Sequence, residues 1–187
     1  MEPILFVHGL FGSKKEYQSI LRYLRKRGFS NFYEFEYKNN WGQVGIKKIA
    51  KELADFVDKN IKEDSFNIVA ISQGGIISLT YLRYSNKKLV GKLFTICSPH
   101  QGTFDAYLLN RPGLIDLRPG SELLKEVEEF GKQIKTEIFA TYTPFDLTVF
   151  PGWYAKPRYG KIKMILAPAH PLAPSWPSTK KFIYKNI

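Results

Sequence analysis

Short apolar runs alternate along this chain with stretches in which apolar residues recur every three or four positions. Each run is long enough for a buried strand. The predicted buried strands are 3–7, 68–71, 93–97, 137–143 and 161–167. Residues 32–37 instead alternate aromatic and acidic side chains, which predicts a strand nearer the edge of a sheet.

Between these strands, apolar residues at helical spacing predict amphipathic helices. The predicted helices are about 14–27, 44–61, 73–84, 121–130 and 178–186. Ser13 is placed to cap the first helix and Gly28 suits its end. Strands that alternate with helices imply a parallel sheet covered by helices on both faces. The chain has no internal repeat or linker, and its length suits one domain, residues 1–187.

Four loops that follow predicted strands carry side chains with catalytic chemistry. These loops are 8–12 with His8, 71–75 with Ser72, 144–151 with Asp146 and 168–174 with His170. Ligands of parallel α/β sheets bind beyond the carboxyl ends of the strands. The topology therefore predicts that these hydroxyl, imidazole and carboxylate groups gather at one edge of the sheet.

The loop after the third strand has the form of a sharp strand-to-helix turn. Residues 70–74 read Ala-Ile-Ser-Gln-Gly, with small residues on both sides of Ser72. Such a turn needs small residues there because neighbouring backbones approach closely. It would expose the Ser72 hydroxyl and direct the N–H group of Gln73 at the same space. The alternative is an ordinary strand–loop–helix turn with a surface serine.

A serine nucleophile needs a base, and imidazole is the usual one because its pKa lies near neutrality. His170 lies in a proline-rich loop after the last predicted strand and is the predicted base. His8 lies on a loop suited to supply an oxyanion N–H group, and its ring would brace that loop. His100 follows a strand next to that of Ser72 and could approach the site, although a structural role is commoner in such turns.

The predicted orienting acid is Asp146, which follows a strand in the pattern Asp-x-x-Val-x-Pro. Asp105 and Asp116 are the alternatives, and each also suits a cap or a surface carboxylate. The order Ser72, Asp146, His170 leaves room between the last two for one loop and one strand, as the topology requires.

Charge and composition limit the possible partners. The 187 residues include 28 basic and 17 acidic side chains, a net charge of +11, which could favour a membrane surface or nucleic acid. The lysines are scattered without a nucleic-acid fold signature, so no nucleic-acid partner is expected.

No apolar stretch reaches the ~20 residues of a membrane span. Met1-Glu2-Pro3 leads directly into a strand rather than a signal peptide, so we expect a cytoplasmic protein. Cys97 is interpreted as a buried core thiol.

Three segments carry a family resemblance that runs nearly end to end. They are His-Gly-Leu-Phe-Gly at 8–12, Ala-Ile-Ser-Gln-Gly-Gly at 70–75 and Ser-Pro-His-Gln-Gly-Thr at 98–103. They resemble the oxyanion loop, the nucleophile elbow and a further segment of small α/β-hydrolases of the bacterial lipase and esterase type. The chain order of the three candidate residues also matches that fold. Ile71 is a departure, since these lipases commonly carry histidine there, which affects the subfamily rather than the chemistry.

The resemblance implies a three-layer α/β-hydrolase fold with a mostly parallel sheet and a minimal lid or none within 104–135. It implies that the N–H groups of Leu10 and Gln73 form the oxyanion hole and that His100 is not catalytic. The implied activity is cleavage of carboxylic esters through an acyl-enzyme on Ser72, with no metal or other cofactor. The substrate would be a small-molecule ester or lipid. Its acyl group is predicted to contact the apolar loop residues Phe11, Phe104, Leu147 and Leu172.

Other functions remain open at this point. A thioesterase or an acyltransferase would use the same three residues with another leaving group or acceptor. A hydrolase-like scaffold that only binds a ligand would leave Ser72 unreactive toward an alkyl fluorophosphonate. A nucleic-acid-binding protein would need a continuous positive surface. The basic surface would also help an enzyme make peripheral contact with an anionic membrane.

Overall fold

Six parallel strands form one sheet in the computed structural model of this protein, which describes residues 2–84 and 89–187. The strands are β1 (Ile4–Val7), β2 (Phe32–Phe35), β3 (Ser65–Ile71), β4 (Leu89–Ile96), β5 (Glu137–Tyr142) and β6 (Lys161–Met164). Their order across the sheet is β2-β1-β3-β4-β5-β6, and every neighbouring pair is parallel. The predicted α/β architecture is therefore confirmed, with β2 at an edge as its alternating pattern indicates.

Helices cover both faces of this sheet. The α-helices are α1 (Gln18–Arg25), α2 (Ile46–Asn60), α3 (Gln73–Tyr84), α4 (Pro112–Ile115), α5 (Glu122–Gly131) and α6 (Pro177–Asn186). Successive strand residues point to opposite faces, so β1 sends Leu5 and Val7 into one core and Ile4 and Phe6 into the other. The first core contains α2, α3 and α5, and the second contains α1 and α6. The result is the predicted three-layer arrangement.

Most predicted elements differ from the structure by a few residues at their ends: β3 and β4, for example, begin earlier than predicted, at Ser65 and Leu89. The helix predicted over 14–27 is a 3₁₀ turn, Lys14–Glu16, followed by the shorter α1. Ser13 caps the 3₁₀ turn by accepting the N–H of Lys15, and Gly28 ends the segment at φ +93°. The strand predicted over 161–167 stops at Met164, although Ile165 still donates its N–H to the carbonyl of Tyr142.

The segment 104–135, in which a minimal lid or none was expected, is partly scaffold. Its second half contains α5, which is capped by Ser121 and packs against α3. Its first half holds a 3₁₀ helix, Phe104–Tyr107, and the four-residue α4. Only short elements therefore lie above the sheet here, in agreement with a minimal lid. Within 2–84 and 89–187, no helix has the length and apolarity needed to cross a bilayer.

Candidate active site

The turn between β3 and α3 is as sharp as its small residues predict. Ser72 adopts φ +54°, in the left-handed region that residues other than glycine rarely occupy. Its N–H donates to the carbonyl of Ile96 at 2.8 Å, and its own carbonyl accepts the N–H of Gly75 at 3.0 Å. A Cβ atom on Gly74 would lie 2.6 Å from the carbonyl oxygens of Val7 and His8. The turn therefore requires glycine at 74, and an ordinary loose connection is excluded.

Asp146 and His170 form a buried hydrogen-bonded pair. Nδ1 of His170 donates to Oδ2 of Asp146 at 2.7 Å. The other carboxylate oxygen accepts the N–H groups of Thr148 and Val149 at 2.9 and 2.8 Å. Asp146 is only 1% exposed, and these three donors compensate for the burial of its charge. Since the carboxylate oxygen accepts, the imidazole proton is on Nδ1, and Nε2 is left to take up a proton.

The remaining contacts link this pair to Ser72 through the neighbouring strand. Ser72 bonds to the last residue of β4, and the next residue, Cys97, has its sulfur within 4.8 Å of ligand-type atoms of Asp146 and His170. On the other side, a Cβ atom on Gly9 would lie 3.0 Å from that of Ser72, so the 8–12 loop adjoins the serine. Among the described residues, no hydrogen bond joins the Ser72 hydroxyl to His170, and this contact stays a prediction. Such bonds often tighten only when substrate is bound.

Cys97 is a core thiol, as predicted, but its contact with the acid–histidine pair is unexpected. Its side chain is 1% exposed. Burial raises the pKa of the Cys97 thiol well above its usual value, and the negative charge of Asp146 raises it further. A thiol that keeps its proton is a poor nucleophile, so Cys97 does not compete with Ser72 for that role.

The other two histidines have structural surroundings. His8 Nδ1 donates to the carbonyl of Gly9 at 2.8 Å, and its ring stacks on Tyr37 with centroids 4.2 Å apart, which is the bracing role predicted for it. His100 is 5% exposed, and its Nε2 lies 2.9 Å from the hydroxyl of Thr95. Burial lowers the pKa of His100 to about 3, so this imidazole stays neutral at ordinary pH.

Side chains from other elements hold the predicted oxyanion loop. A carboxylate oxygen of Glu16 accepts the N–H of Gly9 at 2.8 Å, and the side-chain amide of Asn39 donates to the carbonyl of Leu10. Gln73 is the first residue of α3, so its N–H has no acceptor within the helix. Gln73 thus follows the serine directly, and Leu10 follows Gly9, the residue that adjoins the serine from the other side. That their N–H groups form an oxyanion hole stays a prediction. Sequence reasoning missed Glu16 and Asn39, because polar residues in loops have many ordinary roles.

Apolar side chains surround the site and are exposed rather than buried in the core. The four predicted substrate contacts, Phe11, Phe104, Leu147 and Leu172, are 45% to 77% exposed. Trp41, which the sequence analysis did not single out, is 66% exposed and lies edge-on to Phe11 with ring centroids 5.0 Å apart. These residues, called the apolar rim below, lie in the loops that follow the strands, and their contact with a substrate stays a prediction.

Solved structures share this fold. The mature lipase BlEst2 of Bacillus licheniformis aligns with a TM-score of 0.78 and 17% identity, over 98% of this chain and 91% of that one. The α/β-hydrolase MGS-MChE2, from a lagoon-sediment metagenome, aligns with a TM-score of 0.73 and 17% identity, over 98% and 89% of the two chains. The phospholipase PlaB of Legionella pneumophila aligns with a TM-score of 0.68 and 19% identity over 76% of this chain, which covers 38% of the phospholipase.

Curated relatives match over part of the sequence. A probable alcohol acetyltransferase of Wickerhamomyces anomalus is 32% identical over 92 residues, which are 46% of this chain and 26% of that protein. A protein of the same description from Cyberlindnera fabianii is 26% identical over 87 residues, 43% of this chain and 23% of that protein. The chain thus spans about a quarter of the length of these relatives.

A family model matches much more of the chain than these relatives do. The model for palmitoyl protein thioesterase covers residues 3–163, from the start of β1 to the end of the sheet. With the three-layer fold and the sharp serine turn already described, this match identifies an enzyme of the α/β-hydrolase type. The chain belongs to the palmitoyl protein thioesterase family.

Proposed function

We propose that this protein is a serine hydrolase that cleaves acyl esters or thioesters through Ser72, His170 and Asp146. The buried hydrogen bond between Asp146 and His170 is the observation that carries the proposal. The carboxylate is also fixed by two backbone N–H groups of its own loop. An acid held this firmly orients the imidazole and stabilises its protonated form, which a general base requires.

The reaction proceeds in two steps. His170 Nε2 takes the proton of the Ser72 hydroxyl as the oxygen attacks the acyl carbonyl. The N–H groups of Leu10 and Gln73 donate to the oxyanion, and each such donor typically contributes ~2.7–4 kcal/mol. The tetrahedral intermediate then expels the alcohol or thiol, which receives the proton from His170. Water, activated by the same imidazole, releases the acid and restores Ser72.

The substrate class follows from the rim and the family together. The exposed apolar residues around the site suit an apolar acyl chain rather than a charged one. The family match favours a thioester, and the likeness to lipases led us to expect an ester. The proposal therefore specifies an apolar acyl group, and it leaves open whether the leaving group is an alcohol or a thiol, which the assay below measures.

Acyl transfer to an alcohol is a second candidate, because the curated relatives are described as alcohol acetyltransferases. Hydrolysis and transfer share the acyl-enzyme and differ in whether water or an alcohol attacks it. Added ethanol would therefore give ethyl esters at the expense of the free acid if transfer dominates, and gas chromatography of the products would show which occurs.

A matched panel of substrates tests the main proposal. p-Nitrophenyl esters and acyl thioesters with the same acyl chains, from acetyl to dodecanoyl, would be assayed with the wild type and Ser72→Ala. Loss of the hydroxyl is expected to lower kcat by on the order of 10⁶. Ser78→Ala is the control, since Ser78 is buried in α3, directly after the serine turn, and its hydroxyl donates to the carbonyl of Gly74. A Ser72→Ala protein with most of its activity would remove this serine from the mechanism.

Labelling by an alkyl fluorophosphonate separates an enzyme from a binding scaffold. The reagent is expected to modify Ser72 in the wild type, and no modification would favour a non-catalytic scaffold.

Peripheral contact with anionic lipid remains a prediction from the net charge of +11. Equal co-sedimentation of the protein with neutral and with anionic vesicles would contradict it.

A further inference from the structure

One peptide group of the 8–12 loop is held by an unusual number of donors. The carbonyl of Gly9 accepts from Nδ1 of His8 at 2.8 Å and from the N–H of Gly12 at 3.2 Å, and it shares the proton of the Tyr37 hydroxyl, 3.2 Å away, with the carbonyl of His8. The Tyr37 hydroxyl also lies 3.0 Å from the carbonyl of His8. A phenol from the segment after β2 therefore contacts two successive carbonyls of the loop.

These contacts fix the direction of the neighbouring N–H group. The peptide between Gly9 and Leu10 is planar, and in a trans peptide the C=O and N–H bonds point in opposite directions. Donors that hold the Gly9 carbonyl on one side therefore aim the N–H of Leu10 at the other side. The same holds for the second donor, because the carbonyl of Ser72 accepts from Gly75 and so sets the direction of the Gln73 N–H.

Tyr37 also reaches the second donor's side chain. Its hydroxyl lies 3.4 Å from Oε1 of Gln73, and the amide of Asn39 lies 3.5 Å from the same oxygen. Asn39 donates as well to the carbonyl of Leu10. Two residues that follow β2 thus connect the loop after β1 with the first turn of α3.

The chemistry of these groups suits a fixed support. His8 carries its proton on Nδ1, since the Gly9 carbonyl only accepts, and its Nε2 faces the N–H of Tyr37 at 3.4 Å. Burial raises the pKa of the Tyr37 phenol above its usual value, and the charge of Glu16 raises it further. The hydroxyl therefore remains a donor throughout the pH range of an assay.

We propose that Tyr37, assisted by Asn39, is a positioning residue for the oxyanion hole of the reaction, holding the loop peptides so that Leu10 and Gln73 direct their N–H groups at one oxygen. This inference rests on the proposed function. It adds residues that do not touch the substrate and that come from the segment after an edge strand.

The variant Tyr37→Phe removes only the hydroxyl and keeps the ring stacked on His8. Loss of an oxyanion donor typically costs 10²–10³ in kcat, and a displaced donor costs less, so kcat is expected to fall about 10- to 100-fold with KM within about twofold of the wild type. Affinity for a trifluoromethyl ketone, which forms a tetrahedral adduct with an oxyanion, is expected to fall by the same factor. If Tyr37 had only a structural role, its loss would lower the melting temperature, but the fall in kcat and the fall in inhibitor affinity would not be equal.

Tyr33→Phe is the matched control. Tyr33 lies on β2, where it pairs with Leu5, and its hydroxyl donates to Glu63 rather than to the 8–12 loop. It is expected to leave kcat and inhibitor affinity unchanged. Asn39→Ala provides a second variant should Tyr37→Phe fold poorly. It frees the carbonyl of Leu10, on the far side of the residue that carries the proposed oxyanion N–H, and is expected to lower kcat by loosening the position of that residue.

The outcomes separate this inference from the function on which it rests. A wild type that neither hydrolyses any acyl substrate nor reacts with a fluorophosphonate at Ser72 would overturn both. An active wild type, an inactive Ser72→Ala and fully active Tyr37→Phe and Asn39→Ala proteins would overturn the positioning role alone. Lower kcat with unchanged ketone affinity would also contradict it, since the oxyanion contacts would then be intact.

Discussion

The buried His100 is expected to make the stability of this protein fall on mild acidification. Its imidazole is 5% exposed and bonds to Thr95, and burial lowers the pKa of His100 from 6.5 to about 3. In the unfolded chain the same side chain titrates near its ordinary value. Because the folded-state pKa is the lower one, the unfolded protein binds the proton first as the pH falls. The stabilisation is fully present above pH 6.5 and is lost on acidification towards pH 3.

The size of the effect follows from these two pKa values. Between them, each pH unit changes the free energy of unfolding by about 1.4 kcal/mol. From pH 6 to pH 4, His100 alone is expected to remove about 2.5 kcal/mol. A folded-state pKa one unit higher would still leave a loss of about 2 kcal/mol over this interval, so the expectation is not sensitive to that value.

Urea unfolding at pH 6 and pH 4, followed by tryptophan fluorescence, tests this expectation. Carboxylates titrate over the same range, so the useful quantity is the difference between the wild type and His100→Gln in their loss of stability. The variant is expected to lose about 2 to 2.5 kcal/mol less than the wild type.

Thr95→Val is the control for the physical cause. It removes the hydrogen-bond partner but leaves a buried, titratable imidazole, so the protein is expected to be less stable overall and to keep the wild-type pH dependence. Equal losses in the wild type and His100→Gln would refute the assignment of a neutral, buried histidine.

Two further predictions concern the serine turn and the acid. Gly74→Ala is expected to lower the free energy of unfolding by at least about 2 kcal/mol, because the new Cβ would lie 2.6 Å from backbone oxygens that include that of His8. Gly45→Ala is the control in the same urea titration, since a Cβ there would make only ordinary contacts of 3.5 Å or more. Equal losses of stability in the two variants would contradict the steric explanation. Asp146→Asn is expected to lower kcat by on the order of 10³–10⁴, since the imidazole loses its orienting charge. Asp105→Asn is expected to leave kcat unchanged, and a large loss there would reopen the choice of acid.

The sheet could be predicted because its strands have strong local signals. Runs such as 68–71 are apolar on both faces, which only a strand buried between two helical layers explains. Element ends were less predictable. The last strand stops at Met164, but the apolar residues Ile165, Leu166 and Ala167 continue the run, so the sequence pattern does not mark its end.

The candidate site divides in the same way. Ser72, Asp146 and His170 follow strands, so their approximate meeting place follows from topology alone. The positions of Tyr37, Asn39 and Cys97 depend on contacts between residues far apart in sequence. In the loop after β2, both Asn40 and Trp41 have positive φ, 47° and 59°. The two residue types do not predict this backbone conformation. No local periodicity could have predicted where that loop delivers its side chains.

The edge position of β2 has a consequence for how the enzyme would lose activity. A four-residue strand with one neighbour can detach at a lower free-energy cost than the inner strands, and Tyr37 and Asn39 would leave with it. Ser72, His170 and Asp146 stand on other elements, so the hydrogen bond between Asp146 and His170 would remain. Detachment of β2 would therefore lower catalytic activity at a temperature at which most of the protein is still folded. Activity is thus expected to be lost on heating below the melting temperature of the protein.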